Sequence, residues 1–315
     1  MSDTLFPSAP AIPTYLKFTK EIFMSRKTAC SNVLLVLVCG TSLVVPASAQ
    51  HFKQVKGSLT SVSAGRNEVF GIDADDNVWR YSASSKAFDK IAKVSLTNVA
   101  VGGGTLSQND EVWGFNANFV YRFNYSKKEF VQIPGILTQI AVGIGNQDDC
   151  HPYEVWGLNS GDEIFRFNYC ENAFVQVSGF LTHVATGGGD VWGLNSAGQI
   201  FHFNLAAESW QQVSGTLGTI SVGVNDVWGI NGSSQVFRYD SKTGLFNLVA
   251  APVGEVAAGG DGVWAINTSN EIFRFDPSRE EFVQVTGSLK NIAAGSGAGV
   301  FGVNSADQVF TFVRP

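Results

Sequence analysis

Apolar residues along this chain come in short runs rather than in helical stripes. From residue 52 onward, segments of four to six residues rich in Val, Ile, Phe and Trp alternate with turns of Gly, Asn, Ser and Asp, as in DVWGLNSAGQIFHFN at residues 190–204. No segment repeats with the period of about 3.6 residues that a helix face needs, so the pattern predicts β-strands joined by tight turns.

The segments themselves recur. Laid in register they give one unit, F-x-x-V, x-G-x-L-x-x-I-A-x-G, V-W-G-x-N, a turn, then I-F-R-F-N, and each piece occurs seven times. The V-W-G anchor falls at Phe70, Trp113, Trp156, Trp192, Trp228, Trp264 and Phe301, in steps of 43, 43, 36, 36, 36 and 37 residues. Four short strands in a unit of that length describe a propeller blade. The fold class expected is therefore all-β, a seven-bladed β-propeller of four-stranded antiparallel blades. Six blades are the alternative if the Phe70 and Phe301 copies are not full members.

Composition assigns the strands. The I-A-x-G segment carries small residues (Ser63, Ala64, Ala141, Ser221, Ala257, Ala258, Ala293, Ala294) and suits strand a beside the crowded central channel. V-W-G-x-N and I-F-R-F-N, apolar on both faces, suit the inner strands b and c. F-x-x-V, the shortest, is expected as the outer edge d. The repeat opens on a lone F-x-x-V at Phe52–Val55 and closes on an a-b-c set from Leu289 to Phe312 that lacks one. Strand 52–55 is thus expected to complete the last blade and tie the ring.

The first fifty residues differ in kind. Arg26 and Lys27 precede an apolar run, Val33 to Val45, and Ala47-Ser48-Ala49 makes a small-residue cleavage site before Gln50. This is a secretory signal pattern, with Met24 the expected start and cleavage after Ala49, so that 1–49 form the signal region and 50–315 one propeller domain. The protein is expected outside the cell or in the periplasm, with no membrane span in the mature chain. Cys30 and Cys39 leave with the leader. Cys150 and Cys170 remain, in the a–b and c–d loops of the third unit, which emerge on one side of one blade, and they are expected to form a disulfide.

Charge and motifs remove other classes. A formal charge of -6 with 15% charged residues supplies no basic stripe for nucleic acid. No nucleophile elbow, zinc pair, P-loop or dinucleotide fingerprint is present, the histidines are scattered, and neither an enzyme nor a cofactor is called for. Asp73, Asp75 and Asn77 have the spacing that opens a calcium loop, but Val78 and Ser84 stand where the glycine and glutamate belong.

The unit V-W-G-x-N, turn, I-F-R-F-N, F-x-x-V-x-G-x-L-x-x-I-A-x-G resembles the tectonin repeat of the tectonins, the tachylectin-type lipopolysaccharide-binding lectin and the fish-egg lectins. The likeness spans residues 52–312. It implies a secreted, multivalent β-propeller lectin for glycans or lipopolysaccharide; the best-known members look six-bladed, and Phe70 and Phe301 replace the tryptophan here.

Two sets of residues are then candidate sugar contacts. Trp113, Trp156, Trp192, Trp228 and Trp264 could stack on sugar faces or pack between blades. Asn116, Asn159, Asn195, Asn231, Asn267 and Asn304 open the b–c hairpins, where they could meet a sugar or cap the turn. Arg80, Arg122, Arg166, Arg238 and Arg274 in strand c, with His202 and Thr311 in the other copies, are expected to pair with an acid of the adjacent blade. A scaffold for protein partners, using the long a–b loops 103–111 and 144–154, is the alternative function. Asp110, Asp148, Asp149, His151 and Glu154 of those loops are where a hydrolase site would sit.

Overall fold

In the computed structural model, residues 51–313 are described, apart from Asn118 and Ala251 and the side chains of residues 146–148. The expected leader lies outside them. Within them, 28 strands follow one another without a helix, and consecutive sets of four form blades. The fourth blade shows the plan: strand a His183–Gly187, b Asp190–Leu194, c Gln199–Asn204 and d Ser209–Thr216. All its pairings are antiparallel, and Trp192 stands between Ala185 of strand a and His202 of strand c. Blades are numbered by their anchors, from Phe70 in the first to Phe301 in the seventh.

Closure follows the sequence expectation. His51–Ser58 pairs antiparallel with Gln308–Val313, from His51 opposite Val313 to Val55 opposite Val309, as strand d of the seventh blade. A single parallel bridge, Lys56 to Ala87, links this strand to the first blade, so first and last blades share one eight-stranded sheet. The other five blades are separate four-stranded sheets.

Packing explains why both end copies are full members. Each anchor ring meets two aromatic rings of the next blade, one from strand c and one from strand d. Trp156 lies 4.7 Å from Phe203 and 5.6 Å from Trp210, and Trp264 lies 4.6 Å from Phe312 and 5.5 Å from Phe52. Phe70 reaches Phe123 and Phe130 in the same way, and Phe301 reaches Tyr81 and Phe88. Edge-on pairs of this kind add about 0.5–1.5 kcal/mol each beyond their burial. A phenylalanine keeps the wedge with a smaller ring.

The glycine after the anchor has a steric cause. A Cβ on Gly157 or Gly193 would collide with Cδ1 of Leu137 or Leu181, the leucine that opens the preceding d–a turn. The sixth blade carries Ala265 instead, and there Val253 replaces the leucine in the same cluster. Around the channel the close approach is backbone on backbone: a Cβ on Gly187 or Gly259 would strike the carbonyl of Val222 or Ala294 in the next blade. The remaining central cavity is about 110 Å³.

One assignment needs correction. Strand d is not the shortest element: Ala87–Ser95 and Ala173–Phe180 have 9 and 8 residues, against 4 in strand b at Val69–Ile72. The polar tail after F-x-x-V stays paired across a bulge, where the register slips between Gln199 and Ile200. Gly215 takes φ +115° there, a conformation in which a side chain would be strained.

Candidate functional site at the blade junctions

On the side of the ring that carries the a–b and c–d loops, the anchors of the first five blades each sit at the base of an acid–base pair. The register places the strand c arginine directly opposite the anchor, Trp156 facing Arg166 and Trp228 facing Arg238. The acid two residues before the anchor lies on the same face of strand b, because side chains alternate along a strand. The two therefore meet within one blade. Arg166 Nε and Nη2 reach Glu154 Oε2 and Oε1 at 2.9 and 2.6 Å, and Arg122 reaches Glu111 at 2.7 Å through both nitrogens. Arg80 and Glu68 form the same fork, Arg238 places both nitrogens on Asp226 Oδ1, and His202 stands 3.2 Å from Asp190. The expected partner in an adjacent blade is replaced by one a single strand away. The Arg122, Arg166, Arg238 and Arg274 guanidiniums lie 5.6–5.7 Å above their own anchor rings.

The length of the acid decides what happens to the indole. Glutamate reaches far enough to take both donors, so Trp113 Nε1 gives its proton to Glu111 at 2.9 Å and Trp156 to Glu154 at 2.7 Å. Aspartate is one carbon shorter, and the sixth blade has Gly262 at this position. The N–H groups of Trp192, Trp228 and Trp264 are buried without a protein partner. The acid was legible as a recurrent E/D-V-W, but its role depends on the register across the b–c hairpin.

The five anchor tryptophans are 0–1% exposed. None offers a ring face to solvent, and a ligand could meet only an indole edge. The candidate asparagines lie on the opposite side of the ring, in the b–c turns. Asn195 Oδ1 accepts from Ala197 and Gln199 N–H while Nδ2 donates to Gln199 Oε1. Asn159, Asn231, Asn267 and Asn304 repeat this pattern, and Asn116 bonds Phe119 N–H and the Ser95 carbonyl. Both ends of these amides serve the turn, so the structure brings tryptophans and asparagines to different faces rather than to one site. Asp73 does the same work in the first blade, accepting from Asp75 and Asn77 N–H, Asn77 Nδ2 and Trp79 Nε1.

Outside the acid–arginine pairs, grooves open between blades. The one between the fifth and sixth, about 510 Å³, is lined by Asp226, Arg238, Asp240, Lys242, Phe275 and Glu280. Its counterpart between the first and second, about 480 Å³, has Glu68 and Arg80 in the places of Asp226 and Arg238, with Asp89 and Lys128 beside them. A further cavity of about 430 Å³ lies within the sixth blade, beside Arg274, Phe275 and Pro277. Between the second and third blades Tyr169 lies over Arg122 at 4.8 Å, and its own N–H bonds the Cys150 carbonyl. Here the expected disulfide is present, Cys150 to Cys170 with Cα atoms 4.9 Å apart.

The acidic loops are structural where described. Asp110 is 1% exposed and accepts from Arg66, Asn67, Glu68 and Gly104 N–H, stapling the first two blades; Glu154 is consumed by Arg166 and Trp156. At the channel mouth, Gln139, Glu255 and Asn291 open their a strands and accept an N–H of the next blade, from Val184, Ile292 and Val62. Burial pushes the Glu255 carboxyl up to about 7 against the pull of the Ile292 N–H. No helix among the described residues is long and apolar enough to cross a membrane.

No curated protein sequence matches the chain. Solved propellers share its fold at low identity. The β-propeller domain of Myceliophteria thermophila Cps50 (Swd1) is 10% identical with a TM-score of 0.64, covering 84% of this chain and 100% of that one. U3-55K is 11% identical at 0.60 (84% and 98%), and human WBSCR16 12% at 0.60 (83% and 88%). The Tectonin domain matches residues 35–204, 106–247 and 239–314, which together take in every blade. The chain belongs to the Tectonin domain family.

Proposed function

We propose that this protein is an exported, non-catalytic lectin that holds glycans in the blade-junction grooves. The observation that carries the reading is repetition: a groove walled by an acid–arginine pair and the next blade's aromatic or c–d loop recurs at the first and fifth junctions. Carboxylates and guanidiniums are respectively the acceptors and donors that sugar hydroxyls need, and members of the Tectonin domain family are lectins. Several weak equivalent sites on one face gain strength against a surface that repeats its ligand. The Cys150–Cys170 bridge fits an oxidising compartment, and the signal pattern at 24–49 supplies the route.

A glycan array probed with residues 50–315, with a lipopolysaccharide pull-down beside it, tests this. Binding that weakens when Arg238 and Arg80 are changed to alanine is the expected result. Silence on every glycan would overturn it.

A second reading, a scaffold for protein partners, draws on one observation. Leu106 at the tip of loop 103–111 is 91% exposed. Replacing Leu106 with serine would abolish a protein contact made there and leave glycan binding unchanged.

A further inference from the structure

Two departures from the repeat meet at the junction of the third and fourth blades. In the tail of strand d the register sets Ser58, Ser95, Thr216 and Ser288 opposite the residue that opens strand c. At that place the third blade carries Phe180, opposite Glu163 and 67% exposed. The first letter of F-x-x-V is phenylalanine in six copies and Trp210 in the fourth blade. A Cβ on Gly179 would lie 3.6 Å from Trp210 Cδ1, so the tail that ends in Phe180 runs along the edge of this indole. Phe180 and Trp210 line one groove of about 410 Å³, together with Ile164, Leu181 and Phe201. Glu208, an exposed residue, is the charged member of that lining, and none of the lining residues is cationic. Packing does not account for the pair. A ring two-thirds in water adds little to a core, and Trp210 already serves as the wedge that a phenylalanine makes elsewhere, against Trp156 and Phe203.

From this convergence we infer that the groove between the third and fourth blades is a second type of glycan site, one that takes a neutral pyranose. The ligand class rests on the lectin reading. An uncharged sugar ring has an apolar C–H face that packs on the aromatic wall of Phe180 and Trp210, and hydroxyl donors that the Glu208 carboxylate accepts. Charge narrows the choice of sugar. With Glu208 at the groove and Glu163 opposite Phe180, an acidic sugar meets like charge and finds no cation to offset it. The grooves at the first and fifth junctions offer charges of both signs instead.

The test uses residues 50–315 labelled with ¹⁵N and titrated with glucose, galactose, glucuronate and tetramethylammonium, following the indole N–H signals. The Trp210 N–H, buried beside Gly179, is the reporter, and Trp210→Phe, the residue of the other six copies, assigns its signal. Glucose or galactose is expected to shift that signal and to bind at least fivefold more tightly than glucuronate. Phe180→Ser, the residue that three other blades carry there, should weaken that sugar at least fivefold. Ile136→Ser, at the same place in the G-x-L of the second blade and 62% exposed, should leave the Trp210 response unchanged. A Trp210 signal unmoved by both neutral sugars would overturn the inference, as would equal affinity in Phe180→Ser and the wild-type chain. A preference for glucuronate, or an equal response to tetramethylammonium, would overturn the assignment to a neutral sugar. Glycans that bind through Arg80 and Arg238 while the Trp210 signal stays still would sink this inference and leave the lectin reading intact. A Trp210 response to a neutral sugar, with glycan binding indifferent to changes at Arg80 and Arg238, would uphold this groove and overturn the acid–arginine sites.

Discussion

Glu154 Oε2 accepts from Trp156 Nε1 at 2.7 Å and from Arg166 Nε at 2.9 Å, so one oxygen joins strand b to strand c beneath the surface of the third blade. Glu154 is 0% exposed and the Arg166 side chain 8%. Removing one member leaves a buried charge without its counterpart, and Glu154→Ala is expected to cost about 3–5 kcal/mol of stability in urea titration. Adding Arg166→Thr, the residue that the seventh blade carries as Thr311, should recover most of that loss.

Glu255 makes stability depend on pH. Its carboxyl is raised to about 7 in the fold from 4.5 when free, chiefly by burial. The folded state therefore binds the proton more tightly than the unfolded chain. The associated stability is fully present below pH 4.5 and is lost as pH rises through 7. The loss amounts to up to about 3 kcal/mol. Gln139 performs the same clasp without a charge. Glu255→Gln should therefore flatten the thermal stability profile between pH 5 and pH 8, on the order of that window, and a profile unchanged by the substitution would contradict the account.

The Cys150–Cys170 bridge spans a sequence separation of 20. A loop of that size is worth about 3 kcal/mol in the chain-entropy estimate. The bridge also ties Tyr169 over Arg122. Reduction should lower the melting temperature and increase the exchange of backbone amides in residues 145–172 before those of other blades, measured by hydrogen–deuterium exchange.

Phe52 packs against both Trp264 and Phe312, holding the closing strand to the sixth and seventh blades. Because Phe52 is only partly buried, Phe52→Ala is expected to cost about 2–3 kcal/mol, at or below the low end of fully buried cases. The cooperative melt should broaden as the seventh blade opens first. A sharp transition with unchanged midpoint would show that the strand contributes little.

The features legible in the sequence were those that the spacing of the repeat carries. Seven anchors at steps of 36 to 43 residues gave the blade count. The lone Phe52–Val55 segment gave the closure, and the positions of Cys150 and Cys170 in one unit gave their bridge. Features that depend on register were not legible. Whether Arg166 meets an acid of its own blade depends on which residues face each other across strands b and c, and the letters alone do not say. Strand d appeared short because its paired tail is polar and bends at Gly179 and Gly215, which look like turn residues. The asparagines looked like surface chemistry because a side chain that closes its own turn has the same sequence signature as one that faces a ligand.

The closing strand also sets an order on biosynthesis. Residues 51–58 emerge before the six blades that follow them, and their partner strand, Gln308–Val313, emerges after those blades, so the closing segment must wait unpaired while they are made. Six blades can assemble as they are made. The seventh cannot, and any prematurely terminated chain is left with an open strand edge available to pair with another molecule.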